Sequence, residues 1–334
     1  MMQKKKAPLT LGAYAFPLGL MLAPMAGFTD RAMRTLAHRH GAELTVTEMV
    51  SAKAVTFGDK KTMILAKITN TDGPTLLQLF GSEPDTIARA IERLAAALKD
   101  TPPIGFDINM GCPVPKIYKN GEGSALMKSP EMIEKIVRTA RGATDLPITA
   151  KMRLGIDAEH LNAVECALAA EAGGAAMIAL HGRTRTQMYS GKADYESIKN
   201  VKNHLHIPLI SNGDVTSGAS ALAILEQTGG DGLMVGRAAI GNPFLFCEIR
   251  AALLGEPYTP PTLDERIACA LEELSIAISD KGEALAVRES RGKIALYLHG
   301  FRGAAALRAR VHRACTYHDV ALAFDEAKRE CASV

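Results

Sequence analysis

Short apolar runs rich in β-branched residues recur along the first three quarters of the chain, and helix-like stretches separate them. The eight runs occupy residues 20–23, 44–47, 75–80, 104–109, 147–152, 175–180, 207–211 and 232–235. Continuous apolar runs are typical of parallel strands that are buried on both faces. Eight βα units in about 240 residues predict an α/β fold that closes into a (β/α)8 TIM barrel. A doubly wound open sheet is the alternative.

The stretches between the runs carry signals for helix starts. Residues 82–85 (Ser-Glu-Pro-Asp) resemble a capping box with Asp in the place of Glu. Ser129 and Pro130 predict a second start, with proline at the first helical position. Thr29 or Asp30 is expected to cap the first helix of the barrel.

The pattern changes at a proline-rich joint, residues 256–261, and no strand-like run follows it. An apolar stripe at helical spacing comes next: Ile267, Leu271, Leu274 and Ile278. The remainder is rich in Ala, Leu, Glu and Arg, which are residues that favour helices. We therefore expect a barrel domain in residues 1–257 and a small all-α helical domain in residues 258–334.

Composition is that of an ordinary globular protein. Hydrophobic residues make up 47% and charged residues 22% of the 334 positions, which excludes disordered, collagen-like and coiled-coil chains. The six cysteines form no CxxC pair, so we expect no structural metal, no disulfide framework and a reducing compartment. Neither a secretory signal nor a membrane span is recognisable, so we expect a cytoplasmic protein.

The net charge of +3 is too small to indicate nucleic-acid binding, but it hides a local excess of basic residues. Between residues 288 and 313 only one acid, Glu289, stands among Arg288, Arg291, Lys293, Arg302, Arg308, Arg310 and Arg313. A solvated helix face is the usual explanation for a charge run, although such faces normally mix signs. The excess favours a polyanion, of which a nucleic-acid backbone is the commonest.

In a TIM barrel, functional side chains lie where strands end and the following loops begin. Nearly every predicted strand end carries a polar, charged or glycine-rich segment: Pro24 to Gly27, Glu48, Gln78, Asn109 with Cys112, Lys151 with Arg153, His181 with Arg183, Asn212 to Asp214, and Gly236 with Arg237. Together these ends indicate a site at one face of the barrel.

The last two segments, Asn212-Gly213-Asp214 and Gly236-Arg237, follow strands seven and eight, the usual phosphate position of such barrels. Glycine lets backbone N–H groups approach an anion, and Arg237 can add a bidentate contact. The alternative is a tight turn with a surface arginine.

Three strand-end side chains could carry chemistry. Lys151 lies in an apolar strand, so it can pair with Glu48 or Asp107, form a Schiff base, or stand as a cation beside an electron-accepting ring. Cys112 lies in a Gly-Cys-Pro turn, and a thiol with a pKa of about 8.5 can act as an acid or be an inert buried cysteine. His181 is either a core histidine or a residue facing a ligand.

The ordered segments resemble the bacterial tRNA-dihydrouridine synthase family. The resemblance rests on residues 23–30, 78–81, 109–113, 151–153, 181–185, 212–214 and 236–243. It covers the barrel, and residues 297–300 with the helix after them resemble the RNA-binding helical domain of that family.

The resemblance implies a flavin site, a catalytic acid and an RNA surface. The residues that would hold FMN are Pro24, Met25, Ala26, Gln78, Lys151, His181, Asn212, Gly213, Asp214, Gly236 and Arg237. Cys112 matches the catalytic acid. The residues expected to contact tRNA are Asn109, Arg183, Arg291, Lys293, Arg302, Arg308 and Arg310.

The implied reaction is reduction of a tRNA uridine to 5,6-dihydrouridine. Hydride would pass from flavin N5 to uracil C6, Cys112 would protonate C5, and Lys151 would stabilise the negative charge of the reduced flavin. No GxGxxG fingerprint is present, so NADPH or NADH is expected to dock transiently at the flavin. We expect a monomer without bound metal.

Three other functions compete with this one. A flavin-dependent barrel reductase of a free small molecule, of the dihydroorotate dehydrogenase type, leaves the basic tail unexplained. A Schiff-base aldolase acting through Lys151 gives Cys112 no role. A non-catalytic tRNA-binding module leaves the strand-end residues without a role.

Overall fold

A computed structural model describes residues 7–300 and 304–332, and a parallel β-barrel lies at its centre. The strands of these residues are β1 (Leu9–Leu11), β2 (Tyr14–Phe16), β3 (Leu20–Leu22), β4 (Thr45–Val46), β5 (Val50–Ser51), β6 (Thr75–Phe80), β7 (Gly105–Met110), β8 (Ile148–Arg153), β9 (Met177–His181), β10 (Leu209–Asn212) and β11 (Gly232–Val235).

The helices lie mostly around the barrel and then continue beyond it. They are α1 (Arg31–Arg39), α2 (Ala52–Thr56), α3 (Lys60–Leu65), α4 (Pro84–Ala97), α5 (Pro115–Lys119), α6 (Pro130–Gly142), α7 (Ala163–Ala172), α8 (Tyr195–His204), α9 (Gly218–Thr228), α10 (Leu245–Leu254), α11 (Leu263–Lys281), α12 (Glu283–Leu296), α13 (Ala304–Val311) and α14 (Tyr317–Ala332).

The sheet follows the chain order, and it closes. Strand β3 pairs with β11, and the parallel ladder continues through β10, β9, β8, β7 and β6 to β4, with β5 also paired to β6. A parallel bridge between Met21 and Leu44 joins the first barrel strand to the second. A doubly wound sheet would leave two free edges, so this bridge decides for the predicted TIM barrel.

The second strand and the N-terminal segment differ from the prediction. The second strand is split into β4 and β5. Between them, the Thr47 hydroxyl accepts the Gln78 N–H (3.0 Å) in place of a backbone carbonyl and donates to the Glu48 carbonyl (2.8 Å). The sequence pattern also missed the antiparallel hairpin β1–β2. Its Leu9, Leu11 and Phe16 pack into the core with the first barrel strands.

Two of the predicted helix caps are confirmed and one is wrong. Asp30 accepts the Met33 N–H at the start of α1, and Ser129 accepts the Met132 N–H at the start of α6. Helix α4 begins at Pro84 without a side-chain cap, so residues 82–85 form no capping box.

Helices α11–α14 form a region of their own beside the barrel, which we call the helical region. Its core contains Ile267, Leu274, Ile294 and Phe324, and Leu36 of α1 is part of the same cluster. The helical region is therefore packed against the first barrel helix.

Neither a membrane-spanning helix nor a metal centre emerges from the described part of the chain. Helices there are too short or too polar to cross a bilayer. The same residues contain no group of three or more His, Cys, Asp or Glu placed to hold a metal ion.

Candidate active site

The carboxyl ends of the barrel strands border a cavity of about 750 Å³. Its size is that of pockets for cofactors and other small ligands. Every residue predicted to hold FMN lines this cavity, and so do Cys112 and Asn109. The structure thus brings together residues from seven separate segments of the chain.

The segment after β3 forms an apolar wall of this cavity, with Pro24, Met25 and Ala26. Two side chains fix its backbone: Thr29 Oγ1 accepts the Met25 N–H at 2.9 Å, and Glu48 Oε2 accepts the Gly27 N–H at 2.6 Å. Burial raises the pKa of Glu48. The wall therefore depends on a barrel carboxyl group that does not itself line the cavity.

Behind the cavity, a buried carboxyl group orients a series of amides. Asp107 accepts hydrogen bonds from Thr149 Oγ1 (2.5 Å) and Gln78 Nε2 (2.7 Å), and burial raises its pKa. Gln78 Oε1 then accepts from Asn109 Nδ2 (2.9 Å), and Asn109 Oδ1 accepts from the Cys112 N–H (2.9 Å). Each amide can adopt only one orientation in this chain of bonds. Asp107 thereby orients Gln78 at the cavity wall and the turn that carries Cys112.

The Cys112 thiol is protonated at neutral pH. Its residue is 8% exposed, and burial raises the thiol pKa above its ordinary value, although Arg153 and Lys151 act in the opposite direction. Ser124 Oγ donates to the Cys112 carbonyl at 2.8 Å, and this hydrogen bond stabilises the turn that carries the thiol. A neutral thiol at the edge of a cavity can protonate a carbanion-like centre.

The ammonium group of Lys151 borders the cavity and has no carboxylate partner in the part of the chain that the structure describes. Its Nζ donates to Asn212 Oδ1 at 3.0 Å, while Asn212 Nδ2 donates to the Met234 carbonyl at 2.8 Å. Neither Glu48 nor Asp107 forms a salt bridge with it, so the structural pairing considered from the sequence is not observed. Burial lowers the Lys151 pKa to about 8, and Arg153 adds to this effect.

His181 is a neutral imidazole that lines the cavity. Burial lowers its pKa to about 2, and the neighbouring Lys151 and Arg153 contribute. It lies 3.4 Å from Arg183 Nη1, measured at Nε2. At neutral pH it can exchange hydrogen bonds with a ligand but adds no charge.

The turns after β10 and β11 form the end predicted to bind phosphate. Gly213 has φ +128°, and a Cβ there would come within 2.8 Å of Ala193 Cβ, so a side chain would be strained and crowded. The Arg237 guanidinium lies 4.3 Å from the ring centroid of Tyr189. A cation–π contact of this kind holds the guanidinium over the ring and uses none of its N–H groups, which stay available to an anion.

The cavity has an excess of positive charge. Its lining carboxylate Asp214 is paired with Arg183 at 2.9 Å. Lys151 and Arg237 form no salt bridge with a residue that the structure describes. Two such cations beside an apolar wall fit an anionic ligand with a flat apolar body, and FMN has this character.

A protein-family model described as "Dihydrouridine synthase (Dus)" matches residues 21–332 of this chain. The chain belongs to the dihydrouridine synthase family. A probable tRNA-dihydrouridine synthase 1 of Synechocystis is 40% identical over 303 residues, which cover 90% of this chain and 84% of that protein. The tRNA-dihydrouridine synthase B of Pseudomonas putida is 36% identical over 325 residues, covering 97% and 92%.

Solved structures agree on the fold of this family member. Morphinone reductase superimposes with a TM-score of 0.53 at 14% identity, covering 80% of this chain and 94% of that one. Histamine dehydrogenase from Rhizobium gives a TM-score of 0.56 at 14% identity, with coverages of 80% and 50%. The predicted family, enzyme class and barrel are confirmed. The family decides against the Schiff-base aldolase and the non-catalytic RNA-binding module.

Arg153 and Tyr189 line the cavity of this dihydrouridine synthase family member but were not among the predicted site residues. Arg153 lines the cavity, and its guanidinium donates to the carbonyls of Gly111 and Thr184, both at 2.8 Å. It therefore ties the Cys112 turn to the loop after β9. Its spacing from Lys151 was the available signal, because residues two apart on a strand share a face. Nothing in the sequence pattern singled out Tyr189.

Arg183, which is predicted to contact tRNA, lies inside the protein. It is 2% exposed, and it donates to Asp214, to the Ser190 carbonyl at 3.0 Å and to the Gly191 carbonyl at 2.6 Å. Its donors are used within the protein, so Arg183 organises the loop after β9.

The basic run near the C-terminus is not one continuous surface. Lys293, predicted to contact tRNA, is 3% exposed, and its ammonium group is paired with Asp30 within the protein. Arg291 Nε donates to the Ala314 carbonyl at 2.7 Å, and Arg310 pairs with Glu326. Arg308 is half-buried, while Arg288 and Arg313 are exposed. Arg302 lies outside the described residues.

Proposed function

We propose that the protein reduces uridines of tRNA to 5,6-dihydrouridine, with bound FMN as the cofactor and NADPH or NADH as the reductant. The observation that carries this proposal is one cavity lined by a protonated thiol, Cys112, and by two cations, Lys151 and Arg237, that form no salt bridge with any described residue. The family membership of the chain supports the same reaction.

The cavity offers distinct surfaces for the parts of FMN. Pro24, Met25 and Ala26 would hold the flat ring, and Gln78, Lys151 and His181 would bond its polar edge. A second group would hold the phosphate: Asn212, Gly213, Asp214, Gly236 and Arg237. When bound, the cofactor supplies a hydride equivalent for C6 of the uracil.

The residues of the chain supply the proton and the electrostatics. Cys112 donates a proton to C5, which completes the addition of two hydrogens across the C5–C6 double bond. Asn109 holds the Cys112 turn in place. Lys151 stabilises negative charge that develops during the reaction, because a cation acts strongly in a cavity with little water.

The RNA must deliver an unstacked base to this cavity. A uridine inside a stacked helix cannot reach a recessed thiol, so the nucleotide has to leave the stack. We place the catalytic domain in residues 1–257 and the tRNA-binding domain in residues 258–334. Arg308 of the latter is a phosphate contact. The tRNA substrate places the protein in the cytoplasm, and we expect a monomer.

The test combines cofactor identification with a substrate comparison. Flavin released from the purified protein by heat is identified by chromatography, with FMN as the expected species. Unmodified tRNA transcript, free uridine and orotate are then each incubated with the protein and NADPH or NADH. Mass spectrometry of tRNA nucleosides should find a uridine that has gained two hydrogens. Turnover of orotate with none of tRNA would instead support the small-molecule reductase.

A further inference from the structure

A buried cluster of charges lies between the barrel and the helical region. Lys293 Nζ stands 3.0 Å from Oδ1 and Oδ2 of Asp30 and 2.9 Å from Glu273 Oε1. The Tyr297 hydroxyl donates to Glu273 Oε2 at 2.7 Å, and Lys281 Nζ donates to Asp30 Oδ2 at 3.1 Å. The cluster therefore connects the start of α1 with both α11 and α12.

The cluster depends on Lys293 for its charge balance. Lys293 and Glu273 are 3% and 2% exposed, so little solvent screens them. Burial raises the pKa of Asp30, but the ammonium groups of Lys293 and Lys281 outweigh it and hold this pKa at about 2. Removal of Lys293 would leave two carboxylates close together without the buried cation between them, which is strongly unfavourable.

The position of the cluster relates it to the cavity. Asp30 lies four residues after Ala26 of the apolar wall, and Lys293 lies one helical turn before Leu296, which lines the cavity. A Cβ on Gly241 would come within 2.6 Å of Leu296 Cβ, so α12 lies tightly against the loop after β11. The helical region thus meets the cavity at a fixed contact.

We propose that Lys293 is a positioning residue, and that its cluster with Asp30 and Glu273 sets the orientation in which the helical region presents tRNA to the cavity. The inference rests on the proposed function, since it assumes that tRNA binds the helical region. The wall that faces the cofactor is held separately by Thr29 and Glu48. FMN affinity should therefore be independent of Lys293.

Three variants of the full chain test this role. Lys293→Met removes the buried cation with little change of volume. Lys281→Met is the matched control, because Lys281 is a lysine on the same Asp30 carboxylate but is 20% exposed at its side chain. The triple variant Asp30→Asn, Glu273→Gln, Lys293→Met removes the charges of these three residues and keeps that of Lys281, and asparagine can still cap α1.

For each variant, four quantities are measured: the Kd for FMN, kcat and KM with tRNA transcript, the salt dependence of tRNA binding, and hydrogen exchange of α11 and α12. Lys293→Met should raise KM about tenfold or more and speed exchange, with FMN affinity and the salt slope unchanged. Lys281→Met should stay within about twofold of wild type. In the triple variant, the KM for tRNA should return most of the way to the wild-type value.

Several results would overturn the role. A salt slope lowered by about 0.7–0.9 with unchanged exchange would make Lys293 a phosphate contact. If FMN affinity fell by the same factor as KM for tRNA rose, the cluster would instead support the wall that faces the cofactor. An unchanged KM would show that the cluster has no effect on tRNA. If Lys293→Met does not fold, the triple variant decides, and its failure to fold as well would refute a charge-based role. Wild type that binds tRNA without forming dihydrouridine would refute the proposed function instead, while binding and exchange would still report on the cluster.

Discussion

At the residue scale, burial sets the protonation states that the chemistry needs. It raises the pKa of Cys112 and lowers those of Lys151 and His181, the last two to about 8 and about 2. At neutral pH the cavity therefore holds a neutral thiol, an ammonium and a neutral imidazole. The cavity therefore contains a protonated acid, Cys112, and a cation, Lys151, and neither needs to exchange a proton with the other to reach this state.

Replacement of the thiol should separate proton donation from cofactor binding. Cys112→Ala should bind FMN with unchanged affinity and still be reduced by NADPH, because the thiol is not a cofactor contact in our proposal. Formation of dihydrouridine should fall by roughly 100-fold or more, the usual scale for loss of a general acid. Single-turnover mass spectrometry of tRNA provides the rate, and equal rates in the two proteins would show that another group is the acid.

Lys151 predicts a pH dependence of cofactor affinity. An anionic ligand favours the ammonium and raises its pKa above the value of about 8 in the free protein. Below pH 8 the lysine is charged in both states, so this contribution is complete. Above pH 8 binding must take up a proton, so the affinity for FMN should fall by up to about tenfold per pH unit.

Fluorescence titrations of the apoprotein with FMN between pH 7 and 10 measure this effect. Lys151→Met should bind FMN more weakly at pH 7 and lose the part of the pH dependence that belongs to the lysine. An identical profile in variant and wild type would assign the titration to another group.

At the scale of elements, the loop between β9 and α8 is organised by an arginine in its interior. Arg183 joins two carbonyls of the loop to Asp214, which follows β10. Arg153 reaches the same loop from β8 through the Thr184 and Met188 carbonyls. Two cations thus hold the loop that carries Tyr189, against which Arg237 stacks.

Arg183→Met should destabilise the protein and release its cofactor. The change leaves Asp214 and two carbonyls without their partner, so the free energy of unfolding should fall by about 3 kcal/mol. Calorimetry measures this loss, and FMN should dissociate more easily because Asp214 borders the cofactor end. Arg185→Met is the control. The Arg185 guanidinium carbon lies 3.7 Å from the ring centroid of Tyr118, and loss of this contact should lower the free energy of unfolding by about 1 kcal/mol. Equal losses in both variants would contradict the role of Arg183.

At the scale of the whole molecule, docking of the helical region on the barrel uses up part of the basic run. Lys293 and Arg310 have carboxylate partners, and Arg291 is bound to a carbonyl. Among the described residues, Arg308 and Arg313 have no carboxylate partner; Arg313 is exposed and Arg308 is half-buried. The RNA surface is therefore smaller than the charge run indicates.

The double variant Arg308→Ala, Arg313→Ala should weaken tRNA binding and flatten its salt dependence. Each lost phosphate contact should lower the slope of log K against log salt by about 0.7–0.9. Arg310→Ala is the control and should change the slope less, because Glu326 already neutralises this arginine. Filter binding at several salt concentrations measures the slope, and FMN content should not change. A wild-type slope in the double variant would move the RNA contacts elsewhere.

Local pattern was sufficient for most of the barrel. The predicted runs at 75–80 and 232–235 coincide with β6 and β11, because buried parallel strands need apolar residues on both faces. The split of the second strand was not predictable, since it depends on where the Thr47 hydroxyl meets Gln78 across the sheet. The hairpin β1–β2 gives no clear strand pattern, because its strands are three residues long, Gly12 separates them, and Pro8 and Pro17 flank them.

The sequence by itself determined the barrel, the family and the set of strand ends that meet at one cavity. The barrel and its strand ends follow from periodicity and order along the chain, which are local properties, and the family follows from the resemblance of the ordered motifs. Only the tertiary structure decided which cations are free to bind a ligand. Lys293 is neutralised by Asp30, 263 positions away, and Arg183 by Asp214, 31 positions away. A charge is available or engaged according to the partners that folding brings within a few ångströms, and local sequence does not contain those distances.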